Sequence, residues 1–300
     1  MERFVIPKEL IKQIRTVEIR SKKTVDTLFA GNFKSVFKGR GLEFEGIRKY
    51  ERGDDYRSID WKVTARMRRP YVKIYREERE MVIMILMDVS RSSIFGSTGQ
   101  NKRELAAEFA ATIALSAVSN NDQVGLLMFS DKIEKFIPPK KGKTHALRIL
   151  REVLLFEPVS SKTDIYGCLS FFNRIIKHKT VAFLVSDFID ENRKLEKMLS
   201  VTNHRHDIIA ITLNDELDVL PYDAGLIDLY DLETGESFTV DTSNKKLVDE
   251  YKKLYFKLKK DREILFKKTN IDFIDLSTKY PIQKPLITFF KKRERAVNFK

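Results

Sequence analysis

Residues 81–87, Met-Val-Ile-Met-Ile-Leu-Met, are apolar without a break and run directly into Asp88. Successive side chains of a strand point to opposite faces, so such a run needs both faces covered. A parallel sheet sandwiched between helices meets that need, and few other folds do. The residues that follow are polar at alternate positions: Asp88, Ser90 and Ser92, with Ser93 beside them. A carboxylate and spaced hydroxyls at the mouth of a buried strand call for an explanation.

From residue 80 the chain alternates strand and helix patterns. Residues 102–120 are Ala-rich with apolar positions at helical spacing. Residues 122–130 form the next buried strand, and 132–139 an antiparallel neighbour ended by Pro138 and Pro139. Amphipathic helices are predicted over 144–156 and 164–178, and a buried strand over 179–188. A helix after residue 191 and a strand over 206–215 complete the pattern. This order predicts an α/β fold with a doubly wound, mostly parallel sheet. Beyond it come a hairpin over 225–242 turning at Thr234-Gly235, a basic amphipathic helix over 245–270, a last strand over 271–278 and a basic tail.

The first 80 residues differ. Pro7 to about Ala30 has helical spacing, and an irregular stretch rich in Gly, Arg and acids follows, carrying the only tryptophan, Trp61. Residues 1–79 are therefore expected to form an accessory segment packed on a domain spanning 80–300, with its core in 80–242. Within that segment Asp54, Asp55, Arg57, Asp60 and Trp61 have two readings. They could make a partner-docking surface, or be structural: Gly53-Asp54 as a turn, the acids paired with arginines, and Trp61 anchoring the segment to the core. The structural reading is preferred.

The net charge of +13 would ordinarily point to nucleic acid or an anionic membrane. Its distribution argues otherwise. Residues 1–79 hold 21 Lys+Arg against 12 Asp+Glu (+9), and residues 243–300 hold 17 against 7 (+10), while 80–242 hold 18 against 24 (−6). Any nucleic-acid binding is thus expected at the ends rather than at the central site, and the basic flanks leave peripheral contact with acidic polymer or lipid as a separate reading. A single cysteine, Cys168, excludes an intrachain disulfide and reads as a buried apolar residue. The start lacks a signal-peptide pattern, and the longest apolar run falls far short of the ~20 residues a spanning helix needs. The chain is expected to be soluble and cytoplasmic.

In an open parallel sheet, ligands bind beyond the carboxyl ends of the strands. Asp88 ends one such strand, Asp187 ends another, and Thr163 precedes a helix start. Two carboxylates and three hydroxyls are oxygen donors only, the set that suits a hard cation such as Mg²⁺. Asp88-x-Ser90-x-Ser92 with Thr163 and Asp187 resembles the metal-ion-dependent adhesion site of von Willebrand factor A domains. The resemblance implies that Ser90, Ser92 and Thr163 reach the metal directly or through water. Asp88 would hold it through water, Asp187 would sit in its first or second shell, and an acidic side chain of a partner would complete it. Mg²⁺ is the implied ion, with Mn²⁺ or Ca²⁺ as substitutes.

A wider resemblance covers most of the chain. The stretch from Gly41 to Glu80, "GLEFEGIRKYERGDDYRSIDWKVTARMRRPYVKIYREERE", followed by the Asp-x-Ser-x-Ser motif, "DQVGLLMFSD" and "DLETGES", is similar to the bacterial domain-of-unknown-function family 58. That family is associated with MoxR-type AAA+ ATPases, so the implied function is a non-enzymatic, metal-dependent interaction module. Its partner would be such an ATPase or a client of one.

Other chemistries fit less well. A carboxylate nucleophile for phosphoryl transfer expects a second aspartate where Ser90 stands. "KKGKT" (140–144) lacks the first glycine of a phosphate-binding loop, since position 137 is isoleucine. His204 and His206 have no second pair of ligands and read as a polar connection. No G-x-S-x-G is present. A metal-dependent phosphoesterase or nuclease built on the same acidic centre is the enzymatic alternative.

Overall fold

A computed structural model describes residues 16–17, 20–21, 24–25, 43–76, 81–90, 101–157, 160, 162–188, 194–219, 221, 224–230 and 237–298. The chain divides into two compact units, residues 38–80 and the remainder.

The smaller unit is an antiparallel ribbon of β1 (Glu43–Lys49) and β2 (Tyr71–Arg76) with a short helix, α1 (Trp61–Met67), between them. The signature stretch expected to be irregular thus contains two paired strands. Its polar residues hide the alternation that would have marked them. The acids of this stretch act locally. Asp54 accepts two bonds from the Arg48 guanidinium, at 2.6 and 2.7 Å, and this partner holds its carboxyl below the usual range. Asp55 accepts from the Arg57 amide at 2.9 Å, and Asp60 caps α1 through the amides of Lys62 and Val63. Trp61 is 68% exposed, so nothing within its own unit buries it.

The larger unit is built on six strands in the order β10-β7-β6-β3-β4-β5. In chain order these are β3 (Val82–Asp88), β4 (Gln123–Phe129), β5 (Ile133–Lys140), β6 (Val181–Val185), β7 (Asp207–Asn214) and β10 (Asp272–Ser277). All neighbours pair in parallel except β4 with β5. β8 (Leu226–Tyr230) and β9 (Ser237–Asp241) form a separate antiparallel ribbon, and the predicted turn at Thr234-Gly235 lies outside the described residues.

Helices cover both faces, as the unbroken apolar run of β3 demands. Ile83, Ile85 and Met87 pack with residues of α2 (Lys102–Ser119), α3 (Lys143–Leu155) and α7 (Gln283–Asn298). Met84 and Leu86 face the other way, toward α4 (Ile165–Ile175), α5 (Leu195–Arg205) and α6 (Lys245–Lys268). Cys168 lies buried in this second layer, where burial pushes its thiol well up. His206, between α5 and β7, is buried against the Phe172 ring at 4.6 Å, whereas His204 is exposed. Among the described helical residues near the N-terminus, Val17 packs with Ala111 and Leu150, and the Ser21 hydroxyl donates to the Glu108 carbonyl at 3.3 Å.

The basic tail is in fact α7. Its Leu286 and Phe290 are buried, as is Ile282 just before it, and Arg293 reaches two carboxylates of the sheet. No helix among the described residues is long and apolar enough to cross a membrane.

Gly125, in the middle of β4, shows how tightly the sheet is packed. A Cβ there would stand 2.5 Å from the Met84 sulfur, 2.8 Å from the Ile137 carbonyl and 2.9 Å from Pro139 N. Two of these are backbone atoms of the paired strand and cannot step aside cheaply. Gly125→Ala is expected to cost about 1–3 kcal/mol through overpacking, read as a lower urea midpoint. An unchanged midpoint would show that β5 shifts freely.

Candidate metal centre at the carboxyl ends of β3 and β6

After β4 and β5 the chain crosses back to place β6 on the other side of β3. The strand order therefore reverses at β3, and the crevice beyond such a point is where open α/β sheets bind ligands. Asp88 is the last residue of β3 and is buried, with 5% of its surface exposed.

Three elements converge on its carboxylate. Ser90, two residues on, donates its amide to Asp88 Oδ1 at 3.0 Å, an Asx-type turn. Thr163 donates its hydroxyl at 3.2 Å to Oδ2 and 3.4 Å to Oδ1. Ser186, directly after β6, donates to Oδ2 at 2.8 Å. Residues 88, 90 and 163 of the predicted set are thus in hydrogen-bond contact. Asp187 lies close enough for its charge to act on Asp88. Ser92 lies outside the described residues.

Local chemistry explains how Thr163 is presented. The next residue, Asp164, donates its amide to the Ser130 carbonyl at the end of β4, at 2.9 Å. Its side chain caps α4 by accepting from the Gly167 amide at 2.8 Å. A Cβ at Gly167 would stand 2.3 Å from Asp164 Oδ2, so glycine there leaves room for the cap.

Burial raises the Asp88 carboxyl to about 6, the nearby charge of Asp187 adds to it, and hydrogen bonds from Ser90 and Ser186 only partly offset both. The ionised form is disfavoured although the Ser90 amide and the hydroxyls of Thr163 and Ser186 all donate to it. A cation between the two carboxylates would reverse that balance. The donor set therefore fits a hard divalent ion: Asp88, Ser90, Thr163 and Asp187 offer oxygen only. Among the described residues no three His, Cys, Asp or Glu side chains converge, so a soft-metal or all-carboxylate centre is not seen there.

Sequence reasoning missed Ser186. Its signal was a hydroxyl placed directly between an apolar strand and Asp187, but only the pairing of β6 with β3 brings it to Asp88.

A model of the family described as "Protein of unknown function DUF58" matches residues 46–261. The uncharacterized protein Rv1480 of Mycobacterium tuberculosis is 28% identical over 237 residues, covering 78% of this chain and 74% of its own. The uncharacterized protein MAV169 of Mycobacterium avium is 24% identical over 163 residues, 53% of this chain and 94% of its own. Among solved structures, BatB from Bacteroides thetaiotaomicron is similar at a TM-score of 0.47 and 11% identity, covering 72% of this chain and 99% of its own. A von Willebrand factor type A structure from Catenulispora acidiphila is similar at 0.39 and 10% identity, covering 76% and 44%. The family match runs from Gly46 in β1 to Asp261 in α6, well over half of the chain, and the chain belongs to the DUF58 family.

Proposed function

We propose that this protein is a non-enzymatic interaction module whose contact with its partner depends on a divalent metal, Mg²⁺ in the first instance. Asp88, Ser90, Thr163 and Asp187, with Ser92 from the sequence motif, would hold the ion, and a partner Asp or Glu would complete its shell. The ion supplies a point of positive charge that a carboxylate can join. The residues of this chain bury, orient and hydrogen-bond the Asp88 carboxylate that anchors it. A MoxR-type AAA+ ATPase, or a client that such an ATPase acts on, is the proposed partner, and the cytoplasm the proposed compartment.

The single observation that supports this reading most is Asp88 itself. It is a buried carboxylate pushed up to about 6, beside a second carboxylate and within reach of two hydroxyls from separate elements. A residue that merely capped a turn would need only the Ser90 amide.

Thermal unfolding in rising Mg²⁺ or Mn²⁺ tests it. A ligand bound only by the folded state adds RT ln(1 + [L]/Kd), about 2.7 kcal/mol at a hundredfold excess over Kd. The wild type is expected to gain stability in this way and Asp88→Asn to gain none. Equal shifts in both proteins would move the metal elsewhere. If neither shifts, alone or with the candidate ATPase present, the metal reading fails.

A further inference from the structure

We infer that helix α6 fixes the position of Asp187, with Arg262 as the positioning residue and Phe266 as its apolar counterpart. The inference rests on the metal-site reading above and deepens it by naming what holds the second carboxylate in place.

The turn after β6 is Ser186-Asp187-Phe188, and each of its three residues is held by a different group. Ser186 Oγ donates to Asp88 Oδ2 at 2.8 Å and accepts from the Phe188 amide at 3.1 Å. The Asp187 carbonyl accepts from Arg262 Nη1 at 2.8 Å. The Phe188 ring meets Phe266 edge to face, with centroids 4.8 Å apart and planes at 82°. Phe188 itself adopts φ +59°, the left-handed region that a bulky side chain enters only under strain. Such a turn persists only when its surroundings over-determine it.

Those surroundings come from α6. Arg262 and Phe266 are four residues apart, so they lie one above the other on the same face of the helix. Phe266 is fully buried, and with Val248 it is one of two buried residues on a helix of 24. The second arm of the guanidinium, Nη2, lies 3.5 Å from Asn214 Oδ1, and Asn214 Nδ2 donates to the Leu276 carbonyl at 3.2 Å. One planar fork therefore spans the carboxyl ends of β6 and β7, and Asn214 ties it to β10. A lysine ammonium lacks that fork and cannot span both positions in the same way. The guanidinium bonds the main-chain carbonyl of Asp187, so its hold on the turn does not pass through the Asp187 carboxylate.

Groups that orient metal ligands typically change affinity 10- to 100-fold when removed. Arg262→Met and Phe266→Leu are therefore expected to weaken Mn²⁺ binding about tenfold or more. Binding would be read by calorimetry or Mn²⁺ spin resonance on the full chain, and Lys267→Met on the exposed side of α6 is expected to leave it unchanged. In the same metal-free samples, hydrogen exchange at the Phe188 amide is expected to be faster in Arg262→Met, with Arg262→Lys intermediate. A wild type that binds Mn²⁺ and an Arg262→Met protein that binds it equally well would overturn the positioning role while leaving the metal site standing. A wild type that binds no Mn²⁺ would sink the metal site. Exchange at Phe188 would still decide the hold of α6 on the turn: faster exchange in both variants supports it, and unchanged exchange overturns it.

Discussion

Arg293→Met is expected to destabilise the fold by about 3–5 kcal/mol, the cost of leaving a buried charge without its partner. Arg293 and Asp207 have side chains only 8% and 3% exposed, joined by bonds of 2.7 and 3.1 Å. The Arg293 Nε also donates to Asp272 at 2.7 Å, so the guanidinium bridges the starts of β7 and β10 from α7. Methionine fills much of the same volume but strands Asp207 in the interior. Adding Asp207→Asn to that variant should recover a good part of the loss, since the orphaned charge is then gone. Urea midpoints of the single and double variants measure both effects. A single-variant loss below about 1 kcal/mol would place this pair with exposed ion pairs, which contribute little.

Asp88→Asn is expected to act in the opposite direction. In metal-free buffer at pH 7.5 the variant should be more stable than the wild type by about 3 kcal/mol, because the carboxyl is raised from 3.8 to about 6 on folding. The folded state then holds its proton more tightly than the unfolded one. Wild-type stability from this group is fully present below pH 4, falls as pH rises from 4 to 6, and is level above. The advantage of the variant should therefore close as pH drops to 4. Saturating Mg²⁺ should reverse the order at pH 7.5 by stabilising the wild type alone, and should do less at pH 5, where protons compete for Asp88. A pH-independent difference between the two proteins would show that the carboxylate is not held near its neutral form.

The sheet was legible because its strands are buried on both faces, and that demand writes unbroken apolar runs such as Val82–Met87 and Val181–Val185. Helices α2 to α6 were legible from periodicity for the same reason. The ribbon of β1 and β2 was not, because Arg48, Lys49, Lys73 and Arg76 interrupt the alternation of a small unit with little to bury. Nor was α7. Its Lys291, Lys292, Arg293 and Arg295 read as a basic run, and Leu286 and Phe290, four residues apart, were too short an apolar signal beside it.

The sequence by itself determined that Asp88, Ser90 and Asp187 stand at strand ends and Thr163 before a helix start, and the helix-covered sheet that would gather these oxygen donors, because strand ends and helix starts are local features of the chain. It could not determine what each donor touches. Ser186 joins Asp88 only because β6 crosses back to pair with β3, and Arg262 reaches the Asp187 carbonyl from 75 residues along the chain. Arg293 turns from a surface charge into a buried clamp for a similar reason, 86 residues from Asp207. Periodicity and composition record which surfaces must be hidden. Which polar groups then meet depends on how separate elements pack, and only the tertiary structure decides that.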